Sequence, residues 1–176
     1  PVALLIAVAL GGLAFHTVAT PEAVLVDIGA MALFTASYLV IVLNLFFDVP
    51  WRWAWVAAPG FIAFTALVSA VVGSDSDTYL STLAALVAVG VAVRFVRPVR
   101  SYTAQFLRAA FFFGISLVIF GLDARMCETI PGGTHFIWHL LTAAVLFLLV
   151  TIALERWTDL HDDESESDDT GFATVA

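Results

Sequence analysis

Charged residues are scarce in this chain of 176 residues, and two residue types that carry specific chemistry are absent or nearly so. Only 12% of the residues are charged, whereas about a quarter are charged in an average soluble domain. The chain has no lysine, which excludes a cofactor bound as a lysine Schiff base, as retinal is. A single cysteine, Cys127, excludes an internal disulfide.

Hydrophobic residues take the place of the missing charge, and they occur in long runs. They make up 61% of the chain, and the mean hydropathy is +1.00. A transmembrane helix needs about 20 mainly apolar residues. The stretches that qualify are Pro1–Thr20, Pro21–Phe47, Trp53–Gly73, Thr78–Val96, Tyr102–Leu122 and Thr134–Trp157. The sequence therefore predicts an all-α, polytopic bundle of about six transmembrane helices over residues 1–157.

The few charges are unevenly distributed. Seven of the fifteen acidic residues lie between Asp159 and Asp169, and we predict that residues 158–176 form an acidic, disordered tail because so polar a segment cannot bury an apolar face. Six crossings would collect most arginines on one side of the membrane: Arg52, Arg94, Arg97, Arg100 and Arg156. By the positive-inside rule, this side and the C-terminus are predicted to be cytoplasmic in a multi-pass membrane protein.

Ionisable residues within or at the ends of the predicted spans are candidates for function, since each costs roughly 3 kcal/mol in a membrane. They are His16, Asp27, Asp123, His135 and His139. Helical rise places His16 and Asp27 about 7 and 9 Å from the turn at Pro21. It places His135 and His139 roughly 3 and 9 Å from Gly133. Asp123 ends its helix on the same side. Four helices are therefore expected to bring polar groups to one layer near the extracytoplasmic face.

The histidines in this layer have the number and spacing of zinc ligands. His135 and His139 are four residues apart, so one helix face presents both imidazoles. With His16 they supply three imidazoles, as in catalytic zinc sites that keep a fourth position for water. Asp27 could accept a hydrogen bond from that water or act as a general base. Taken singly, each residue also has a simpler interpretation: an incidental HxxxH pair, a histidine bonded to a neighbouring helix, or a carboxylate in polar packing.

Two motifs resemble signatures of the alkaline ceramidase family, which belongs to a membrane hydrolase superfamily that includes adiponectin-receptor-like proteins. The segment Phe120-Gly-Leu-Asp-Ala-Arg-Met-Cys-Glu128, followed by His135-Phe-Ile-Trp-His139, is similar to W-x-x-D-x-x-x-C-E and H-x-x-W-H, with Phe120 in place of Trp. Phe15-His16, followed eleven residues later by Asp27, resembles the family's FH…D pair at the same spacing. The resemblance covers almost the whole membrane region.

The resemblance implies a seven-helix fold in which zinc is held by His16, His135 and His139. It implies that Asp27 orients or deprotonates a water that cleaves the amide bond of ceramide, releasing a sphingoid base and a fatty acid. Asp123 and Cys127 match family positions and are expected to support the site. The family's first helix has no counterpart in this sequence, so we expect a further helix upstream.

One position departs from the family at the site itself. The family has a serine four residues before its first zinc histidine, and this chain has Gly12 there. A hydroxyl expected beside the metal is therefore missing, which puts catalysis in question.

Three classes of function remain open from the sequence. The leading one is a zinc-dependent intramembrane hydrolase of a lipid amide, with a lipid substrate in the bilayer and membrane lipids as partners, and no nucleic acid or protein partner indicated. The second is a non-catalytic receptor-like or structural membrane protein that retains the histidine metal site, which Gly12 favours. The third, an ion or proton transporter using Asp27 and Asp123, is less favoured because both acids lie at one level.

Overall fold

The computed structural model describes residues 2–18, 20–73, 77–126 and 133–173, which are almost entirely helical. The α-helices are α1 (Val2–Val18), α2 (Pro21–Phe47), α3 (Trp51–Ala54), α4 (Ala57–Val72), α5 (Asp77–Val93), α6 (Thr103–Met126) and α7 (His135–Ala173). A 3-10 helix, Arg97–Tyr102, precedes α6. These residues contain no strand, so the predicted all-α bundle is confirmed.

Four helical stretches are long and apolar enough to cross a membrane. They are Pro21–Phe47, Trp51–Val72, Arg97–Asp123 and His135–Asp162. Two others are apolar but shorter, namely α1 and the Tyr79–Val93 part of α5. The 17 residues of α1 stand at the lower end of the range of about 17–25 that can cross a bilayer. The helices thus indicate a multi-pass membrane protein, while the number of six crossings and the direction of insertion stay predictions.

The helix α2 begins and ends where the sequence predicted. The side chain of Thr20 caps its first turn by accepting a hydrogen bond from the Ala23 N–H at 3.3 Å, and Pro21 follows in the position where its missing N–H costs nothing. Asp48 ends the helix in the left-handed conformation, with φ of 54° and its N–H donated to the carbonyl of Leu43. Both ends are therefore fixed by local chemistry.

The predicted third span, Trp53–Gly73, corresponds to the apolar helical stretch Trp51–Val72, with an interruption that was not predicted. The structure has two helices here, α3 and α4, which are separated by a hydrogen-bonded turn at Trp55 and Val56. Pro59 explains the break, because a proline ring clashes with the carbonyl four residues earlier, which belongs to Trp55. The remainder of the span ends as predicted, with Gly73 in the left-handed conformation at φ of 62°.

The last helix continues through the acidic segment. We predicted a helix to Trp157 followed by a disordered tail over residues 158–176, but α7 extends to Ala173, so the predicted boundary falls inside a helix. Adding a residue to an existing helix costs far less than starting one. A segment too polar to fold alone can therefore continue as helix from the apolar part of α7.

The core lies between α2, α5, α6, α7 and the 3-10 helix. Phe46 and Phe106 are among its most deeply buried side chains, and their ring centroids are 5.2 Å apart. No residue of α4 is buried, and Gly11 is the buried residue of α1. The helices α1 and α4 therefore lie at the periphery, with most of their surface exposed.

The two ends of the bundle carry different chemistry. At one end the buried guanidinium of Arg156 donates from Nε to the carbonyl of Leu45 at 3.1 Å, and the hydroxyl of Tyr102 donates to Asp159. We call this the arginine end, because most of the exposed arginines lie there: Arg52, Arg94, Arg97 and Arg100. The opposite end, where α1 and α6 finish and α7 begins, is the histidine end.

Candidate metal centre

Three imidazoles from the two ends of the chain meet at the histidine end. His16 lies in the last turn of α1, and His135 and His139 lie in the first two turns of α7. Each offers one ring nitrogen, and these three atoms all lie within 4.8 Å of one another. The Nε2 atoms of His16 and His139 are 2.8 Å apart although 123 residues separate them in sequence. The structure therefore brings the three predicted ligands together as a group that could hold a metal ion.

The spacing of these nitrogens is close to that of a tetrahedral zinc site. A Zn–N bond of about 2.0–2.1 Å puts two ligand nitrogens about 3.3–3.4 Å apart. The nitrogens of His16 and His139 are closer than this, at 2.8 Å, and the others lie within 4.8 Å, so side-chain shifts of about 1 Å would suffice. The rings of His16 and His139 are nearly perpendicular, at 89°, and they contact each other through their Nε2 atoms.

Asp123 lies behind one of the histidines, on the side away from the other two imidazoles. Its Oδ2 lies 3.5 Å from Nδ1 of His135, which leaves Nε2 of that ring for an ion. Its Oδ1 accepts hydrogen bonds from the backbone N–H and the hydroxyl of Thr134, at 2.6 and 3.1 Å. A carboxylate behind a ligating histidine is the usual way in which proteins fix the ring's orientation. The predicted supporting role of Asp123 therefore has a geometric basis.

Asp27 lies where α1 and α2 approach each other closely. A Cβ atom added to Gly11 would lie 3.0 Å from the Cα of Asp27 and 3.3 Å from its N, so the two backbones meet with no side chain between them. A Cβ added to Gly12 would lie 3.6 Å from Oδ1 of Asp27. Gly12 precedes His16 by one helical turn, and the Asp27 carboxylate is within electrostatic range of that imidazole. The predicted base thus lies against Gly12, one turn of α1 before His16.

Aromatic side chains from three helices line the same region. The Trp138 ring lies 5.1 Å from that of His135 and 4.4 Å from that of His139, measured between centroids. Phe120 of α6 and Tyr79 of α5 pack against the same indole, at 5.0 and 5.9 Å. The indole N–H of Trp138 is buried and has no hydrogen-bond partner among the described residues. A buried donor without a partner costs about 1–3 kcal/mol, so this group is a candidate for contact with a ligand.

Tyr79 is the residue of this region that the sequence did not predict. Its side chain lies within electrostatic range of Asp27, and its ring is 5.6 Å from that of Phe120. No motif or charge distinguishes it from the tyrosines that occur at membrane interfaces generally. Its depth was the available signal, because it lies in the first turn of α5, in the layer that the histidines share.

Two further residues with metal-binding side chains are Cys127 and His161. Cys127, the second predicted supporting residue, lies outside the described residues. His161, the fourth histidine of the chain, is about 33 Å from His139 along α7. Its Nδ1 lies 2.8 Å from the carbonyl oxygen of Trp157, and its side chain is exposed. It belongs to the surface of the arginine end.

Comparison with known proteins gives no relative from which a function could be transferred. No family model matches the chain, and no curated protein and no solved structure matches it. The resemblance of the motifs to alkaline ceramidases therefore stays a prediction, and the residues and their geometry carry the functional argument.

Proposed function

We propose that the protein is a zinc-dependent intramembrane hydrolase that cleaves the amide bond of a lipid such as ceramide. The observation that carries the proposal is the meeting of His16 with His135 and His139, from the first and last helices of the described chain. Three neutral imidazoles with a position left for water form the ligand set of many catalytic zinc sites. The FH…D and H-x-x-W-H motifs supply the substrate class.

The side chains around the histidines fit the steps of amide hydrolysis. A zinc ion held by the three imidazoles would polarise the amide carbonyl and make a water molecule more acidic. Asp27 accepts the proton of the attacking water and passes it to the leaving nitrogen. Asp123 keeps the His135 ring in place through its carboxylate. Water is thereby added across the C–N bond, which gives a fatty acid and a sphingoid base.

The surroundings of the site suit a substrate with a polar head and apolar chains. The unpaired indole N–H of Trp138 is a donor for the carbonyl or hydroxyl oxygen of such a head. The Tyr79 hydroxyl is a second polar group of the same region. The α1 surface carries exposed apolar side chains such as Leu10 and Leu13, so an acyl chain can approach His16 from within the bilayer.

Metal content and activity of one variant pair test this proposal. Purified wild-type protein is expected to hold about one zinc per chain and to release fatty acid from a fluorescent ceramide. In His139→Ala, both the zinc and the hydrolysis should be lost because one of three ligands is missing. His161→Ala is the matched control, since it removes an exposed histidine from the same helix and should change neither. Wild-type protein without metal after zinc loading would overturn the proposal.

Gly12 favours a second candidate function, a receptor-like or structural protein that binds a metal without turnover. The family serine would place its Cβ 3.6 Å from Oδ1 of Asp27, and here no side chain occupies that position. Assays of ceramides and other N-acyl lipids with zinc-loaded protein separate the two functions. Stoichiometric zinc without hydrolysis of any of these lipids would favour the second candidate, and fatty acid release would favour the hydrolase.

A further inference from the structure

The 3-10 helix at the arginine end has one buried edge and one charged edge. Residues three apart lie above one another in a 3-10 helix. Val99 and Tyr102 are 0% and 6% exposed, so this edge faces the core. Arg97 and Arg100 share a different edge, and both are exposed. Two guanidinium groups therefore project from one edge of a short helix, one turn apart.

This short helix is held firmly against the bundle. The hydroxyl of Tyr102 donates a hydrogen bond to Asp159 of α7, and its ring meets that of Phe46 of α2 edge-on, with centroids 5.3 Å apart. Pro98 restricts the backbone between the two arginines. The arginine pair thus starts from a fixed backbone, so a ligand that needs both side chains pays less conformational entropy on binding.

The pair lies at the depth of lipid headgroups. The 24 residues of α6 form a helix about 36 Å long, which covers a hydrocarbon core of about 30 Å without the 3-10 helix. Exposed aromatic residues surround the same end: Trp51, Trp53, Trp55 and Phe95. Tryptophan is enriched where the membrane core meets the headgroups. Both observations place the 3-10 helix at that boundary.

We propose that Arg97 and Arg100 bind the phosphate group of an anionic membrane lipid. A rise of about 2 Å per residue sets their Cα atoms about 6 Å apart, so two guanidinium groups can reach one phosphate from either side. Each guanidinium can donate two parallel hydrogen bonds to phosphate oxygens. Attraction of basic loops to a membrane surface needs charge alone, whereas this site depends on the shared edge of the 3-10 helix. The proposal is independent of the chemistry at the histidine end.

Native mass spectrometry of the full chain in detergent tests the site with phosphatidylglycerol and phosphatidylcholine at equal concentrations. The wild type is expected to retain phosphatidylglycerol in preference to phosphatidylcholine. The double variant Arg97→Gln/Arg100→Gln should retain about thirtyfold less phosphatidylglycerol, since two charges near the headgroup are removed. Arg125→Gln is the matched control, because Arg125 is an exposed arginine at the histidine end, and it should retain the lipid as the wild type does.

Three results would overturn the proposal. They are unchanged phosphatidylglycerol retention in the folded double variant, equal retention of phosphatidylcholine by the wild type, and an equal loss in Arg125→Gln. Millimolar inorganic phosphate should leave the lipid bound, and displacement by it would identify free phosphate as the ligand instead. The variant Arg97→Lys/Arg100→Lys keeps both positive charges but lacks the planar guanidinium groups that donate two parallel hydrogen bonds, so it should bind less lipid than the wild type. That variant decides the matter if the glutamine variant does not fold, and full retention by it would refute the paired guanidinium site.

Discussion

Replacing Asp123 by asparagine tests whether a residue that is not itself a ligand strengthens metal binding at the candidate metal centre. In the variant, an amide oxygen can still accept the two hydrogen bonds from Thr134, so the start of α7 should be preserved. An NH₂ group then takes the place of Oδ2, 3.5 Å from Nδ1 of His135. That nitrogen carries a proton when Nε2 binds a metal, so two donors face each other.

The expected loss of zinc affinity can be estimated from this geometry. Removing the partner of a metal-ligating histidine typically weakens metal binding by about tenfold to a hundredfold. The distance of 3.5 Å between Asp123 and His135 is longer than a normal hydrogen bond of about 2.7–3.2 Å. We therefore expect the lower end of that range, about a tenfold weaker zinc affinity.

Competition with a chromophoric chelator measures zinc affinity in detergent solution. Asp48→Asn is the matched control, because it makes the same chemical change at the arginine end. Asp48 has a positive φ of 54°, a conformation that asparagine adopts readily, so this variant should fold and bind zinc as the wild type does. Equal zinc affinity in Asp123→Asn and the wild type would refute the supporting role of Asp123.

Three further predictions concern the α1–α2 contact and the metal. Gly11→Ala should lower the unfolding temperature, because its Cβ would lie 3.0 Å from the Asp27 backbone and such overpacking costs about 1–3 kcal/mol. In the control variant Gly29→Ala, the added Cβ meets nothing within 4 Å, so the unfolding temperature should not fall. Equal effects of the two variants would contradict the close approach of α1 and α2. Gly12→Ser should fold, since its Cβ makes ordinary contact at 3.6 Å, and it should raise ceramide hydrolysis; an unchanged rate in zinc-loaded protein would show that the missing hydroxyl is not what limits turnover. A chelator should lower the unfolding temperature of the wild type and leave that of His139→Ala unchanged, and equal shifts would place the stabilising metal elsewhere.

The ends of several helices could be predicted because local residues determine them. Thr20 and Pro21 mark the start of α2, and the residues after Phe47 cannot continue it. The break before α4 was missed because Pro59 acts on the carbonyl of a residue four positions earlier, inside the stretch that looked continuously helical. The length of α7 was missed for a different reason, since composition describes how a segment behaves alone and not as the extension of a formed helix.

The sequence predicted that the histidines lie at one level of the helix bundle, but it did not predict the direction in which each side chain points. Counting residues from Pro21 and Gly133 placed the histidines in one layer, and in the structure they meet. The rotation of each helix about its own axis cannot be predicted from hydrophobicity, because both the protein core and the lipid are apolar. The contact of Gly11 with the Asp27 backbone and the position of Tyr79 depend on that rotation, so no pattern in the sequence specified them.

The contact between His16 and His139 has a topological consequence. The helix α1 packs mainly against α2 and has one buried residue, and its His16 contacts both His135 and His139 of α7. A metal ion bound by these histidines would link α1 directly to α7. Detachment of α1 into the surrounding lipid would then require the loss of a metal ligand first, so the metal would restrict the movement of this peripheral helix.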